Sequence, residues 1–270
     1  MSNNRIDTMF SVLKQENKKA LITFVTAGDP DLDTTQKLVL AMEKAGADLI
    51  ELGVPYSDPI AEGPVIQAAN IRALKNDVRM DRLFETVAAL RKSTNITLVF
   101  LLYVNTILQY GKVKFFEKCV EAGVDGVILP DLPFEESDEI GEVSKSAGVH
   151  LIRLVAPTSK DRIKMIAKRA EGFLYCVSSL GVTGVRKTLN TDNADFKEFY
   201  QTIEQTKNAP SALGFGISSP EQVTQVKDYF DAVIVGSAIV KLVADAANPD
   251  EAVEAVSGFV GSLRTALDIL

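Results

Sequence analysis

Short apolar runs of strand length alternate along this chain with longer stretches whose apolar residues recur at helical spacing. The apolar runs are rich in β-branched residues and predict eight strands, at residues 20–26, 48–53, 97–103, 125–130, 150–156, 172–177, 212–217 and 231–236. The amphipathic stretches between them predict helices, among them residues 32–44, 80–92, 113–121, 137–146, 160–170 and 220–228. Regular alternation of this kind indicates an α/β protein.

Eight strand–helix units within 270 residues are typical of a single (βα)8 TIM barrel. A doubly wound sheet is the alternative, although it usually has fewer strands or a longer chain. We expect one domain over residues 1–270, with an N-terminal helix in residues 1–18 that caps the barrel, because no Ser/Gly-rich linker divides the chain. The intervals after the second and sixth strands predict long loops on the face where barrel enzymes carry their chemistry.

Composition narrows the classes of function. Acidic residues outnumber basic ones 36 to 29, for a formal charge of −7, which argues against a phosphate-backbone partner such as DNA or RNA. Two cysteines and one histidine exclude a disulfide framework and a Cys/His metal cluster. The first twenty residues lack the apolar run of a signal peptide, and no run reaches the roughly 18 apolar residues of a membrane span. We therefore expect a cytoplasmic, metal-free protein.

Glu51 is the first candidate for chemistry, because it lies at the end of a predicted strand among apolar neighbours. A carboxyl group there is costly to ionise, so its pKa should rise toward the range that suits a general acid or base. The alternative is a buried glutamate bonded to backbone or water for structural reasons. Asp58 and Glu62 follow on the predicted loop, where a solvated acid is the plainer expectation.

Glycines at the ends of the last two predicted strands indicate a phosphate site. Residues 214–217 precede the helix start at Pro220, and residues 236–238 open another helical stretch. Glycine lets the backbone approach an anion, helix N-termini present free N–H groups, and the loops after strands 7 and 8 are a frequent phosphate site in barrels. The alternative is that these glycines only form tight turns.

Residues 175–186 run from the sixth predicted strand into the second long loop. Glycines on both sides of Thr183 predict a hinged lid that could exclude water from a site below it. A disordered surface loop is the alternative, and Tyr175 could equally be core packing.

Together these segments resemble the tryptophan synthase alpha subunit family. The matching stretches cover nearly the whole chain in family order, at residues 24–30, 51–67, 102–105, 129–133, 154–157, 175–184, 214–217 and 236–241. The resemblance implies cleavage of indole-3-glycerol phosphate to indole and glyceraldehyde 3-phosphate by a retro-aldol step. The stretches 51–67 and 178–184 are far more specific than a lone glycine motif.

The resemblance also implies roles for individual residues. Glu51 would protonate the indole C3 and help to deprotonate the glycerol hydroxyl, and Glu62 would accept the developing charge on the indole N–H. Substrate-binding positions would be Phe24, Leu101, Tyr175, Thr183, Gly184, Phe215, Gly216, Gly236 and Ser237. Among these, Gly184, Gly216, Gly236 and Ser237 would hold the phosphate.

A partner is implied in the same way. The family's alpha subunit docks on a beta subunit as an alpha2beta2 heterotetramer, and indole passes to the beta site through an internal tunnel. Asp58 and Pro59 resemble the part that meets the beta subunit. Pyridoxal phosphate is expected in the beta partner, with no cofactor in this chain.

One position departs from the family, which most often has Asp where this chain has Glu62. The extra methylene displaces the carboxylate by roughly one C–C bond, and a misplacement of about 1 Å can cost on the order of 100-fold in rate. We expect the loop to be shaped to suit Glu62. The alternatives are a feebly active chain that serves mainly as an activator of beta, and another phosphate-binding barrel enzyme such as a sugar-phosphate isomerase.

Overall fold

The computed structural model describes residues 4–158, 160–177, 193–214 and 216–269. Its strands are all parallel and close into a barrel in sequence order, which confirms the predicted (βα)8 fold. The strands are β1 (Ala20–Thr26), β2 (Leu49–Gly53), β3 (Thr97–Leu101), β4 (Gly126–Ile128), β5 (His150–Val155), β6 (Leu174–Val177), β7 (Ser211–Gly214) and β8 (Ala232–Val235). All eight predicted strands are present, and most are shorter at the carboxyl end than predicted.

Helices surround the barrel. They are α1 (Arg5–Gln15), α2 (Leu32–Lys44), α3 (Pro64–Leu74), α4 (Met80–Leu90), α5 (Val104–Tyr110), α6 (Lys112–Ala122), α7 (Asp138–Ala147), α8 (Lys160–Lys168), α9 (Ala194–Glu204), α10 (Pro220–Val226), α11 (Ser237–Asp245) and α12 (Pro249–Asp268), with a 3-10 turn at Phe134–Glu136. None of the helices in the described ranges combines the length and the apolarity that crossing a membrane requires.

The alternation of side chains along the strands separates two layers of core. On β2, Ile50 and Leu52 face the helices, whereas Leu49 belongs to the inner cluster that fills the barrel. Glu51 follows Leu49 by two residues and therefore points inward as well, at the carboxyl end of its strand. Its register partners are Phe24 on β1 and Val99 on β3.

Helix α1 packs onto the opposite, amino-terminal end of the barrel. Its buried residues Ile6, Phe10 and Leu13 join the inner cluster, and the Phe10 ring lies 6.0 Å from that of Phe173. Asn4 caps the helix by accepting a hydrogen bond from the Ile6 N–H. This end of the barrel is therefore filled by apolar side chains.

The interval after β2 differs from the prediction of one long loop. Residues 54–63 are loop, the chain then forms α3, and residues 75–79 connect α3 to α4. Apolar residues on both sides of α3 hid its periodicity, because Ile66, Ala69 and Ala73 are buried while Ile71 and Leu74 are exposed. Residues 178–192, which contain most of the second predicted long loop, lie outside the described ranges.

Candidate active site

A pocket opens at the carboxyl ends of the strands, the face predicted to carry the chemistry. The space inside it, counted together with its open mouth, is about 690 Å3. Its lining includes eight of the residues singled out from the sequence: Phe24, Glu51, Glu62, Leu101, Tyr175, Gly216, Gly236 and Ser237.

Glu51 lines this pocket with a buried side chain. The residue is 1% exposed, and neither carboxyl oxygen has a partner within the described part of the chain. Burial raises the pKa of Glu51 to about 8, because the charged form loses its hydration without compensation. At neutral pH the group is therefore mostly protonated, and no backbone hydrogen bond within the described residues holds its carboxyl oxygens.

Tyr175 projects from β6 into the same pocket. Burial is the main cause that raises the pKa of its phenol, and the nearby Glu51 carboxyl adds to the effect. Gly214 on β7 leaves the space that the ring occupies, since a Cβ there would lie 2.6 Å from the Tyr175 Cε1. Tyr175 is thus a neutral wall of the pocket beside Glu51.

Glu62 faces the pocket from the end of the loop that precedes α3. The residue is only 6% exposed, so the expectation of a solvated loop acid is wrong. The fold of α3 over the loop buries it, and the Asn70 Nδ2 donates a hydrogen bond of 3.1 Å to its Oε2. Burial raises the pKa of Glu62 to about 7, while hydrogen bonds from Asn70 and Tyr103 act in the opposite direction.

The remaining walls are apolar. Phe24 and Leu101 line the pocket as predicted from the sequence, and Ile66 and Leu154 join them. Gly53 makes room for the Phe24 ring, because a Cβ at that position would lie 2.4 Å from the Phe24 Cζ. These side chains make this part of the pocket apolar.

The opposite end of the pocket is the N-terminus of α11. Gly236 occupies its N-cap position and supplies no side-chain cap, whereas α10 and α12 are capped by Ser219 and Asn248. The Ile239 N–H donates to the Gly236 carbonyl at 2.8 Å, so the first-turn donors that face an anion are the N–H groups of Ser237 and Ala238. The helix dipole also makes this end attractive to an anion. Gly216, with φ at +88°, takes the left-handed backbone that glycine favours and lines the same end.

Several predicted residues stand apart from this arrangement. Thr183, Gly184 and Phe215 lie outside the described residues. Asp58 is exposed on the outer surface of the loop, Pro59 is half-buried beside it, and neither lines the pocket. Ile60 next to them is 74% exposed.

Sequence reasoning missed part of the lining: Ala61, Ile66, Pro130, Leu154, Ile217 and Ile234. Pro130 and Leu154 stand in stretches that match the family, and Ile217 follows the predicted phosphate glycines. Ile66 lies in the matching stretch 51–67, but its position in the pocket could not be predicted because its helix was not predicted.

Metal-ligating side chains and the cysteines add little chemistry to the site. In the described ranges no three His, Cys, Asp or Glu side chains are placed to hold a metal ion. Cys119 and Cys176 are free thiols, both buried, and burial raises the pKa of each.

The barrel and its pocket define the class of protein: a (βα)8-barrel protein with two buried acids of raised pKa facing an uncapped helix N-terminus across apolar walls. Comparison with known proteins then identifies the family. The family model described as tryptophan synthase alpha chain matches residues 10–267. This chain belongs to the tryptophan synthase alpha chain family.

Similarity to individual members extends along the whole chain. Tryptophan synthase alpha chains of Thermoanaerobacter sp. (strain X514) and Clostridium kluyveri are 50% and 44% identical, with 98% of this chain and 100% of each relative covered. Tryptophan synthase subunit alpha from Legionella pneumophila str. Paris superposes with a TM-score of 0.90 at 38% identity, covering 99% of both chains. A chain of Mycobacterium tuberculosis tryptophan synthase gives a TM-score of 0.89 at 30% identity, covering 100% of both.

Proposed function

We propose that Glu51 and Glu62 together carry out the reaction of this family, the retro-aldol cleavage of indole-3-glycerol phosphate to indole and glyceraldehyde 3-phosphate. Tryptophan synthase alpha chains are carbon–carbon lyases without a cofactor of their own, and this chain is one of them. The observation that carries the assignment of roles is the Glu51 carboxyl, which is buried, unpartnered among the described residues and open to the pocket.

Glu51 supplies and then recovers one proton. As a neutral acid, it donates its proton to C3 of the indole ring, which becomes an iminium ion that keeps its N–H. The carboxylate left behind takes the proton of the hydroxyl on the adjacent side-chain carbon. The bond between that carbon and C3 breaks, its electron pair returns to the ring, and indole and the aldehyde separate.

Glu62 stabilises the charge that develops between these two steps. Its carboxylate faces the pocket and accepts the N–H of the positively charged ring, an interaction that strengthens in a site from which water is excluded. Glu51 must therefore be protonated while Glu62 is ionised. Burial raises the pKa of both groups, and only at Glu62 do hydrogen bonds from Asn70 and Tyr103 act in the opposite direction. This difference in surroundings supports the assignment.

The N-terminus of α11 is the proposed site for the phosphate group. Gly216, Gly236 and Ser237 line this end, and the free N–H groups there are donors to phosphate oxygens. Thr183 and Gly184, predicted from the sequence to belong to a lid, and Phe215 are included in the proposed phosphate and substrate site because of the family resemblance.

The beta subunit of tryptophan synthase is the partner of the alpha chain, and it holds the pyridoxal phosphate. We propose that Asp58 and Pro59 lie in the surface that meets it, which is supported by their outward position on the loop that carries Glu62. A cytoplasmic location is also proposed, and two unpaired cysteines are consistent with a reducing compartment.

Substitution of Glu51 by Gln tests this proposal. It preserves shape and removes the proton donor, so indole release should fall by roughly 100-fold or more. Binding to the beta subunit and stimulation of its reaction with serine and indole should persist. Loss of both activities together would show that Glu51 serves the structure and would overturn the assignment.

A further inference from the structure

Two buried polar side chains stand behind Glu62, outside the lining of the pocket. Asn70 on α3 and Tyr103, just before α5, are each 3% exposed. The Asn70 amide donates to the Glu62 Oε2 at 3.1 Å, and the Tyr103 hydroxyl lies close enough to the same carboxyl group to lower its pKa. Neither side chain lines the pocket, so they act on a ligand only through Glu62.

The Tyr103 hydroxyl can donate toward an ionised Glu62 while its oxygen accepts a bond from elsewhere. The Ala61 N–H donates to the Tyr103 oxygen at 2.9 Å, which leaves the hydroxyl proton for Glu62. The Tyr103 ring is held in place by the stacked ring of Tyr56, with 4.8 Å between their centroids. Both neighbours of Glu62 therefore offer it donors, and donors stabilise the ionised form of a carboxyl group.

Apart from Asn70 and Tyr103, the groups described around Glu62 do not stabilise its ionised form. Glu51 and Tyr175 face the same pocket, and Asp131 lies near Tyr103, where its carboxylate accepts the Val104 N–H at 3.0 Å. These groups are neutral or acidic, so none of them favours a negative charge on Glu62. Burial alone would favour the protonated form, and Asn70 and Tyr103 oppose it.

We propose that Asn70 and Tyr103 are the positioning residues that hold the Glu62 side chain against the pocket in its ionised, hydrogen-bond-accepting form. The inference rests on the proposed function, in which Glu62 receives the N–H of the substrate. Asn70 and Tyr103 then determine the pH above which the site is competent. They also anchor the longer side chain that this chain has in place of the family's usual Asp.

The test measures ionisation of Glu62 directly, by carbon-13 NMR of glutamate labelled at Cδ in the full chain. The resonances of Glu51 and Glu62 are assigned by their loss in Glu51→Gln and Glu62→Gln. Asn70→Leu keeps the volume and Tyr103→Phe keeps the ring, and each removes one donor. Each should raise the Glu62 midpoint by roughly one pH unit. An unchanged midpoint in both variants would overturn the proposal.

If either variant fails to fold, a titration of the wild-type protein still tests the proposal. The Asn70 side-chain amide resonance, assigned by its loss in Asn70→Leu or by through-bond experiments, should titrate with the Glu62 midpoint and stop titrating in Glu62→Gln. An amide that does not respond to Glu62 would contradict the proposal. Asn76→Leu is the matched control, because Asn76 follows the same helix and donates to the Gly28 carbonyl away from the pocket. This control should leave the midpoint unchanged.

The pH profile of indole release separates this inference from the proposed function. The acid limb of kcat/KM should move upward with the Glu62 midpoint in Asn70→Leu and Tyr103→Phe, and Asn76→Leu should leave it in place. A midpoint that moves without the limb would uphold the positioning role and contradict the role of Glu62 in the reaction. If the rate falls while the acid limb of kcat/KM and the titration midpoint of Glu62 both stay fixed, the positioning role is overturned.

Discussion

Glu51 is a neutral acid at neutral pH because folding removes its carboxyl group from water and gives it no described partner. The same fact has a consequence for stability. The folded protein holds this proton up to about pH 8, whereas the unfolded chain releases it near its ordinary pKa of 4.5. The free energy of unfolding must therefore decrease as the pH rises from about 4.5 to about 8.

Glu51→Gln should remove this decrease. Relative to the wild type, the variant should gain roughly 2–4 kcal/mol in free energy of unfolding between pH 5 and pH 8. Urea denaturation at both pH values measures the difference. The exposed Glu254→Gln, on α12, is the control and should show no such gain. Equal effects of Glu51→Gln at the two pH values would contradict a buried acid of raised pKa.

Shortening the Glu62 side chain tests whether the loop is shaped for glutamate. Glu62→Asp withdraws the carboxylate from Asn70 and Tyr103 by one methylene, so indole release should fall by roughly 10- to 100-fold. Steady-state assays of the variant and of the exposed Glu254→Asp provide the comparison. A turnover more than tenfold above that of the wild type would show that the loop is not shaped for glutamate.

Helix α11 presents its uncapped first turn to the pocket. A negative charge placed there should affect helix stability and ligand binding in opposite directions. Ser237→Asp places a negative charge where the helix dipole favours it, so the helix should be as stable or more so. The same charge repels phosphate, and KM for the phosphorylated substrate should rise roughly tenfold or more. The neutral Ser237→Asn is the matched control. An unchanged KM in Ser237→Asp would place the phosphate elsewhere.

Helix α3 shows where sequence reasoning stopped short. Glu51 could be found because an acid at the end of an apolar strand is conspicuous, and the glycines near α11 stand out for a similar reason. The burial of Glu62 and the contribution of Ile66 depend on α3, whose apolar residues on two faces give no clear helical period. Asn70 and Tyr103 are far apart in sequence and meet at Glu62 only in the folded chain.

The whole barrel divides stability and chemistry between its two ends. Helix α1 fills the amino-terminal end with apolar side chains, while the pocket occupies the carboxyl end. Phe10→Ala should therefore lower the free energy of unfolding by about 3 kcal/mol and leave kcat within twofold at temperatures where the variant is folded. Val12→Ala, on the exposed face of the same helix, should cost far less. A large fall in kcat for folded Phe10→Ala would contradict this division.

The assignment as the lyase half of a two-subunit enzyme is tested most directly by steady-state release of indole from indole-3-glycerol phosphate, with and without a cognate beta subunit. We predict slow release by the isolated chain and a rise of roughly tenfold or more on addition of the beta subunit, a coupling of about 1–3 kcal/mol. No release under either condition, with the beta reaction still stimulated, would contradict the account and leave this chain an activator without chemistry of its own.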